Sequence, residues 1–270
     1  MFSERIFFDA AHPNVYLDVY TPTNPAPLTD AVLVIPGGAY RSVCDREGKN
    51  TALAFSREGV RAFVLNYSFG EEVKYPRQLL DAAGAVSFIR ANADKYSVNP
   101  DRIFGLGYSA GGHLLGTLVT QREFAESELH LPAGALKLRG AIFSYPVITA
   151  YGKTHKGTFK NLLKKPLSEY TAEEKLLFSI EKHINADTPP AFIWHTSEDV
   201  SVPIYGSLKL CRAYVRAGLA TELHIYPYGP HGIALGTEES SNGHPEYVEP
   251  KAAGWFFEAI DWMRTLDQRG

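Results

Sequence analysis

Cysteine is scarce. Only Cys44 and Cys211 occur in 270 residues, far apart and outside any metal-ligand spacing, which leaves a disulfide framework or a zinc site unsupported. Basic runs are missing too. Lys and Arg are scattered, Lys164-Lys165 being the one adjacent pair, and the formal net charge is -3, so no basic face for nucleic acid is expected. Long apolar stretches are also absent. Nothing approaches the ~18 uncharged residues of a membrane helix, and the N-terminus, MFSERIFFDAAHPNVYLDVY, alternates and carries charge where a signal peptide has an apolar run of roughly 7–15 residues. There is no H-E-x-x-H or other metal-ligand spacing, so no catalytic metal is expected. These absences describe a reduced, cytoplasmic protein without a nucleic-acid or membrane partner.

What is present is an ordinary globular composition, 45% hydrophobic and 21% charged over 270 residues. That is enough chain for one large α/β domain with a substantial core. Strand and helix patterns alternate without an internal repeat. Segments 4–8 and 15–20 read as an antiparallel pair at a sheet edge, joined through His12-Pro13-Asn14, and the proline-rich stretch 21–30 reads as a turn-rich connection. The uninterrupted apolar run 31–35 signals burial on both faces, the habit of a parallel strand covered by helices. Further strands are expected at 60–66, 102–108, 140–145, 191–196 and 222–226. Helices are expected at 46–58, from Tyr75-Pro76 to about 96, after Ser109, at 203–217 and at 251–266, with the stretch 97–101 acting as a breaker. Segment 149–188 interrupts the rhythm with two short helix-like pieces, near 158–165 and 172–181. It reads as an insertion over the C-terminal edge of the sheet, where ligands bind in open α/β folds, and so as a candidate lid.

The chemistry centres on residues 102–115, RIFGLGYSAGGHLL. A buried strand runs into Gly107-Tyr108-Ser109-Ala110-Gly111 and a helix follows, which is the context required of the nucleophile elbow G-x-S-x-G. In so tight a turn any side chain at either glycine would collide with a neighbouring element, while the serine hydroxyl stands clear above the sheet. The Ala110 amide then lies at a helix N-terminus, facing a developing oxyanion. Gly37 and Gly38, directly after the strand 31–35, supply the other candidate oxyanion amides. A serine hydroxyl attacks only when a base takes its proton, and the base needs a carboxylate on its other ring nitrogen. His231, in the loop after the last strand, is the candidate base. Glu198 and Asp199, in the loop after 191–196, compete for the carboxylate, and Asp199 is preferred for the Val202-Pro203 that follows it. The chain order Ser109, Asp199, His231 and the shared sheet edge bring these three together.

Together IPGGAY, DRIFGLGYSAGGHL, SYPVIT, HTSEDVSVP and YPYGPHG resemble the α/β-hydrolase superfamily, and within it the branch of small acetyl-esterase and acetyl-xylan-esterase-like carboxylesterases, across about residues 30–265. The resemblance implies one α/β-hydrolase domain spanning 1–270, with a mostly parallel twisted sheet of about eight strands, helices on both faces and the 149–188 segment as its cap. It implies Ser109 as nucleophile, Asp199 as acid, His231 as base, and Gly37, Gly38 and Ala110 as oxyanion donors. Pro36 departs from the histidine of the HGGG-type loop. Tyr40, Tyr67, Tyr108 and His113 are candidate pocket residues, with core or supporting roles as their alternatives; His155, His183 and His244 read as solvated. The implied activity is hydrolysis of short-chain acyl esters, acetylated carbohydrates among them, with no cofactor and a small-molecule ester as partner. A serine amidase of the arylformamidase kind, or a non-catalytic binder on the same fold, stand as alternatives. Oligomeric state is left open, a homodimer included.

Overall fold

The apolar strands set the layering. In a computed structural model that describes residues 1–24 and 26–266, the run at 31–35 belongs to a central strand with neighbours on both sides. Pro25, in the proline-rich connection, and the last four residues of the C-terminal segment lie outside the described residues. In chain order the elements are β1 (Phe2–Ile6), β2 (Tyr16–Tyr20), β3 (Thr29–Ile35), α1 (Asp45–Arg57), β4 (Arg61–Asn66), α2 (Arg77–Ala91), α3 (Ala93–Tyr96) and β5 (Val98–Tyr108). Then come α4 (Ala110–Thr120), α5 (Arg122–Glu128), β6 (Gly140–Ser144), α6 (Lys156–Leu163), α7 (Ala172–Leu177), β7 (Ala191–Thr196), α8 (Tyr205–Arg216), β8 (Thr221–Tyr226), α9 (Glu238–Ser241) and α10 (Trp255–Thr265). Among the described residues the strands form one eight-stranded sheet in the order β1-β2-β4-β3-β5-β6-β7-β8. The β1-β2 and β2-β4 pairs are antiparallel and every pair from β4 to β8 is parallel.

Alternate residues of each central strand feed two cores. Leu33, Ile35, Ile103, Phe143 and Ile193 pack with Leu79 and Val86 of α2, Leu114 and Leu115 of α4 and Leu210 of α8. Val32, Val34, Phe104, Ile142 and Trp194 pack with Phe55 of α1 and with Trp255, Ile260 and Met263 of α10. Each such side chain removed from water stabilises the fold by roughly 1.5–3 kcal/mol. Helices therefore cover both faces, and every parallel strand ends at one edge.

Two departures from the expected elements have local causes. Of the stretch 97–101 only Ser97, left-handed at φ 52°, breaks the chain; residues 98–101 already belong to β5, because Thr29 pairs with Val98 and the register shift between Thr29 and Ala31 absorbs the irregularity around Pro100. The helix expected to reach 96 stops at Ala91; the Asn92 side chain and its own N–H both donate to the Phe88 carbonyl, closing the helix before α3. Segment 149–188 holds α6, α7 and two single-turn helices, Leu167–Glu169 and Ile180–Lys182. It is tied to the body by Ile180 N–H to the Ile148 carbonyl (2.9 Å) and Tyr75 N–H to the Leu162 carbonyl (3.1 Å). Its Phe159, Tyr170 and Phe178 are buried in the core on the α4 side.

Candidate active site

Ser109 sits between β5 and α4 with φ 51° and ψ -116°, a conformation that costs a non-glycine residue about 1–3 kcal/mol. The flanking glycines show why the turn is possible. A Cβ at Gly107 would lie 2.5 Å from the Gly111 carbonyl oxygen, and one at Gly111 would lie 2.0 Å from the Ile35 carbonyl oxygen. Backbone bonds lock the strained residue in place: Ser109 N–H donates to Ser144 (3.0 Å), and its carbonyl accepts from His113 (3.2 Å) and Val147 (3.0 Å).

The three loops expected to converge do so. Ser109 Oγ is 2.8 Å from His231 Nε2, and His231 Nδ1 is 2.6 Å from Asp199 Oδ2. With the Nδ1 proton on the carboxylate side, the Nε2 lone pair faces the serine hydroxyl, so the arrangement can draw the Ser109 proton onto the imidazole. Asp199 Oδ1 accepts the amides of Ser201 (3.0 Å) and Val202 (2.8 Å). His195 Nε2 donates to the Val202 carbonyl (2.8 Å) and lies 3.2 Å from Asp199 Oδ2. Burial works to raise the Asp199 carboxyl, but the bonds from His195 and His231, the His231 charge and the Val202 amide outweigh it and hold it well below the usual carboxylate range. Glu198, the competing acid, instead accepts the Gly229 N–H at 3.0 Å.

The loop after β3 corrects one expectation. The Gly37 N–H is engaged by Glu47 Oε2 at 2.6 Å and so cannot serve an oxyanion. The physical reason is that α1 begins just below the loop and aims a buried carboxyl at it. Among the described residues the N–H groups of Gly38 and Ala39 donate to no acceptor. The Ala110 N–H opens α4, where a helix leaves its first amides unpaired. Ala39 and Tyr40 both adopt positive φ, 54° and 57°, and the loop is held by Tyr67 Oη to the Pro36 carbonyl (3.0 Å) and Asn161 Nδ2 to the Ala39 carbonyl (2.8 Å).

The expected pocket residues are corrected as well. Tyr40, Tyr67, Tyr108 and His113 are at most 1% exposed, and their polar atoms are taken up inside the protein. Tyr40 Oη meets His113 Nδ1 at 2.9 Å, and Tyr108 Oη meets Thr51 Oγ1 at 2.9 Å on the α1 side of the sheet. Burial pushes His113 down to about 4, against the Phe178 carbonyl. These groups support the loop and helix around Ser109 and present no polar atom to a ligand. His155, expected in solvent, is half-buried; its Nδ1 caps α6 by accepting Thr158 N–H at 3.2 Å. Burial first, then the charge of His231, push it down, while Asp199 opposes. Sequence reasoning missed Glu47 and Tyr145, whose contacts join residues with no local pattern linking them. Among the described residues no group of three or more His, Cys, Asp or Glu side chains is placed to hold a metal ion, and no helix is long and apolar enough to cross a membrane.

The largely parallel sheet, its helical layers and a serine at a strand-to-helix turn make this chain an α/β-hydrolase. The profile of the BD-FAE family matches residues 17–214, and the chain belongs to that family. It is 36% identical over 220 residues to endo-1,4-beta-xylanase B of Butyrivibrio fibrisolvens, covering 79% of this chain and 34% of that protein. It is 28% identical over 224 residues to an acetylxylan esterase of Xylanibacter ruminicola, covering 81% and 43%. The chain thus spans less than half the length of these two curated relatives. Similar solved structures include the acetyl ester-xyloside bifunctional hydrolase from Caldicellulosiruptor lactoaceticus, with TM-score 0.78, 28% identity and coverage of 95% of this chain and 89% of that one. The carboxylesterase Cest-2923 from Lactobacillus plantarum gives TM-score 0.81 and 25% identity, covering 93% of each chain.

Proposed function

We propose that this protein is a serine carboxylesterase that hydrolyses short acyl, acetyl-type esters, acetylated carbohydrates among them. The observation that carries the reading is the continuous relay from Ser109 through His231 to Asp199, with contacts of 2.8 and 2.6 Å. The likeness to an acetylxylan esterase and to an acetyl ester-xyloside bifunctional hydrolase favours an acetylated sugar over other esters.

In this mechanism Ser109 Oγ attacks the ester carbonyl carbon as His231 Nε2 takes the hydroxyl proton, and Asp199 stabilises the imidazolium. The carbonyl oxygen becomes an oxyanion held by the amides of Gly38, Ala39 and Ala110. Collapse expels the alcohol, which leaves with the proton from His231, and the acyl group stays on Ser109. Water then attacks the acyl-enzyme, giving its proton to His231, and a second collapse releases the carboxylic acid and restores the serine. We assign the 149–188 segment to one wall of the substrate cleft, on the reach of Asn161 to the Ala39 carbonyl. A reducing, cytoplasmic setting suits the two free thiols, Cys44 and Cys211.

The test is hydrolysis of p-nitrophenyl esters from acetate to octanoate, beside the matching anilides, by the wild type and Ser109→Ala. Acetate or butyrate turned over, with the variant slower by about 10⁴-fold or more, supports the reading. Cleavage of anilides in preference to esters, or activity retained without Ser109, overturns it.

A further inference from the structure

The hydrolytic cycle above makes no use of one buried carboxyl. Glu47, in the first turn of α1 and 3% exposed, has its two oxygens bound to two different partners. Oε2 accepts the Gly37 N–H at 2.6 Å and Oε1 accepts the Tyr145 hydroxyl at 2.8 Å. The Tyr145 oxygen in turn accepts the N–H of Ala234, in the loop carrying His231, at 3.0 Å. Its ring stands edge-on to the His231 imidazole, with centroids 5.1 Å apart. The adjacent Arg46 donates from Nη1 to the Gly232 carbonyl at 3.0 Å. On the far side Gly37 is pressed against the nucleophile, since a Cβ there would lie 2.9 Å from both Glu47 Oε2 and Ser109 Cβ.

We propose that Glu47 is a positioning residue that sets the oxyanion loop and the histidine loop relative to Ser109, holding the first through Gly37 and the second through Tyr145. The inference deepens the esterase reading and rests on it. Three features of the site support it. Two successive non-glycine residues at positive φ, Ala39 and Tyr40, persist only where surrounding bonds over-determine them. By occupying the Gly37 N–H, the carboxyl leaves the next two amides of the same turn as the free ones. A carboxyl is also costly to bury, and its cost is offset only by bonds of this kind. Burial raises Glu47, opposed by the Gly37 amide, the Tyr145 hydroxyl and the charges of His231 and Arg46.

The experiment compares Glu47→Ala, Glu47→Gln and Tyr145→Phe in the full chain, reading kcat and KM for p-nitrophenyl acetate, thermal melting, and the rate at which a fluorophosphonate labels Ser109. In labelling, Ser109 Oγ attacks phosphorus and fluoride leaves through a five-coordinate state whose phosphoryl oxygen gains negative charge where the ester oxyanion would sit, so the rate reports the same loop geometry. Glu47→Ala is expected to lower kcat about 100-fold with KM changed less than about threefold, and to slow labelling in parallel. Glu47→Gln, whose carboxamide oxygen still accepts the Gly37 N–H, recovers about tenfold or more of that loss, and Tyr145→Phe lowers kcat about tenfold. The inference is overturned if Glu47→Ala melts lower yet keeps kcat within about threefold, or if Glu47→Gln folds and is no faster than Glu47→Ala. Should Glu47→Ala fail to fold, Tyr145→Phe decides, and an unchanged kcat there overturns the inference. If the wild type cleaves no ester, the esterase reading fails, while the labelling rates still judge Glu47.

Discussion

The loops after β7 and after β3 both end parallel strands, and both depend on a buried carboxyl, but they obtain their shape from different places. The acid loop is largely built from its own neighbours. Asp199 accepts amides two and three residues ahead and meets His195 four residues behind. The oxyanion loop has turn bonds of its own, from Arg41 and Ser42 to the Gly38 carbonyl and from Cys44 to that of Gly37, but its remaining ties come from a distance. Its Gly37 amide goes to Glu47 on α1, its Pro36 carbonyl to Tyr67 after β4, and its Ala39 carbonyl to Asn161 on α6. A loop closed on itself keeps its geometry wherever the strand puts it. A loop closed by three other elements is only as well placed as those elements are, and it transmits their displacement to the site.

The largest effect is expected at the acid. Asp199→Asn keeps a side chain of the same shape, but its amide can offer N–H where His231 Nδ1 needs an acceptor, so the imidazole loses its orientation and tautomer. We expect kcat to fall about 10³–10⁴-fold with KM little changed. Glu198→Gln, which touches only the Gly229 N–H, changes kcat less than about threefold. Steady-state kinetics on the two variants checks both statements; equal losses would mean that the loop as a whole, and not one carboxylate, serves the histidine.

A smaller effect follows from the direction of the Asp199 shift. Its carboxyl is held below the ordinary range in the fold, so ionised Asp199 stabilises the folded state. That contribution is complete above the unfolded value of about 3.9 and is lost as pH falls from there through the folded value. Urea midpoints of the wild type and Asp199→Asn should therefore differ by a constant amount between about pH 5 and 8 and converge below about pH 4. A gap that widens in acid would show that the bonds to Asp199 do not favour its charged form.

The same contrast explains what could be read from the chain alone. The elbow was legible because its constraint is steric and local: Gly107 meets Gly111, and Gly111 meets the strand just before the oxyanion loop. Asp199 was legible against Glu198 through residues immediately after it. The engagement of the Gly37 amide is not legible, because nothing near it in sequence says that a residue ten positions on, in α1, claims it. For Tyr40, Tyr67 and Tyr108 the choice between pocket and core is not legible either, whereas His113, inside α4, takes the buried supporting role that its sequence context also allows. Aromatic residues at strand ends line pockets or fill cores alike, and the outcome depends on partners such as Thr51 for Tyr108 and the Pro36 carbonyl for Tyr67. In the fold, the buried parallel strands announced themselves through uninterrupted apolar runs. The start of β5 did not, because pairing with Thr29 overrides the turn preference of Asn99, Pro100 and Asp101.

The finest test concerns the 149–188 segment. Asn161 on α6 gives the oxyanion loop a single bond, to the Ala39 carbonyl at 2.8 Å, and the side chain is only half-buried. In Asn161→Ala, water can take over part of that bond, so the loss should be that of one neutral hydrogen bond, about 0.5–1.5 kcal/mol, or about twofold to thirteenfold in kcat/KM. The loop keeps its ties at Gly37 and Pro36 and the bonds from Arg41 and Ser42 to the Gly38 carbonyl, so the melting temperature should move by no more than about 2 °C. Kinetics on p-nitrophenyl acetate with a thermal melt reads both quantities. A loss beyond about 100-fold would move control of the oxyanion loop from α1 to the insertion. The 149–188 segment would then act on the chemistry itself, and its displacement by a bulky substrate would switch the site rather than merely admit the acyl group.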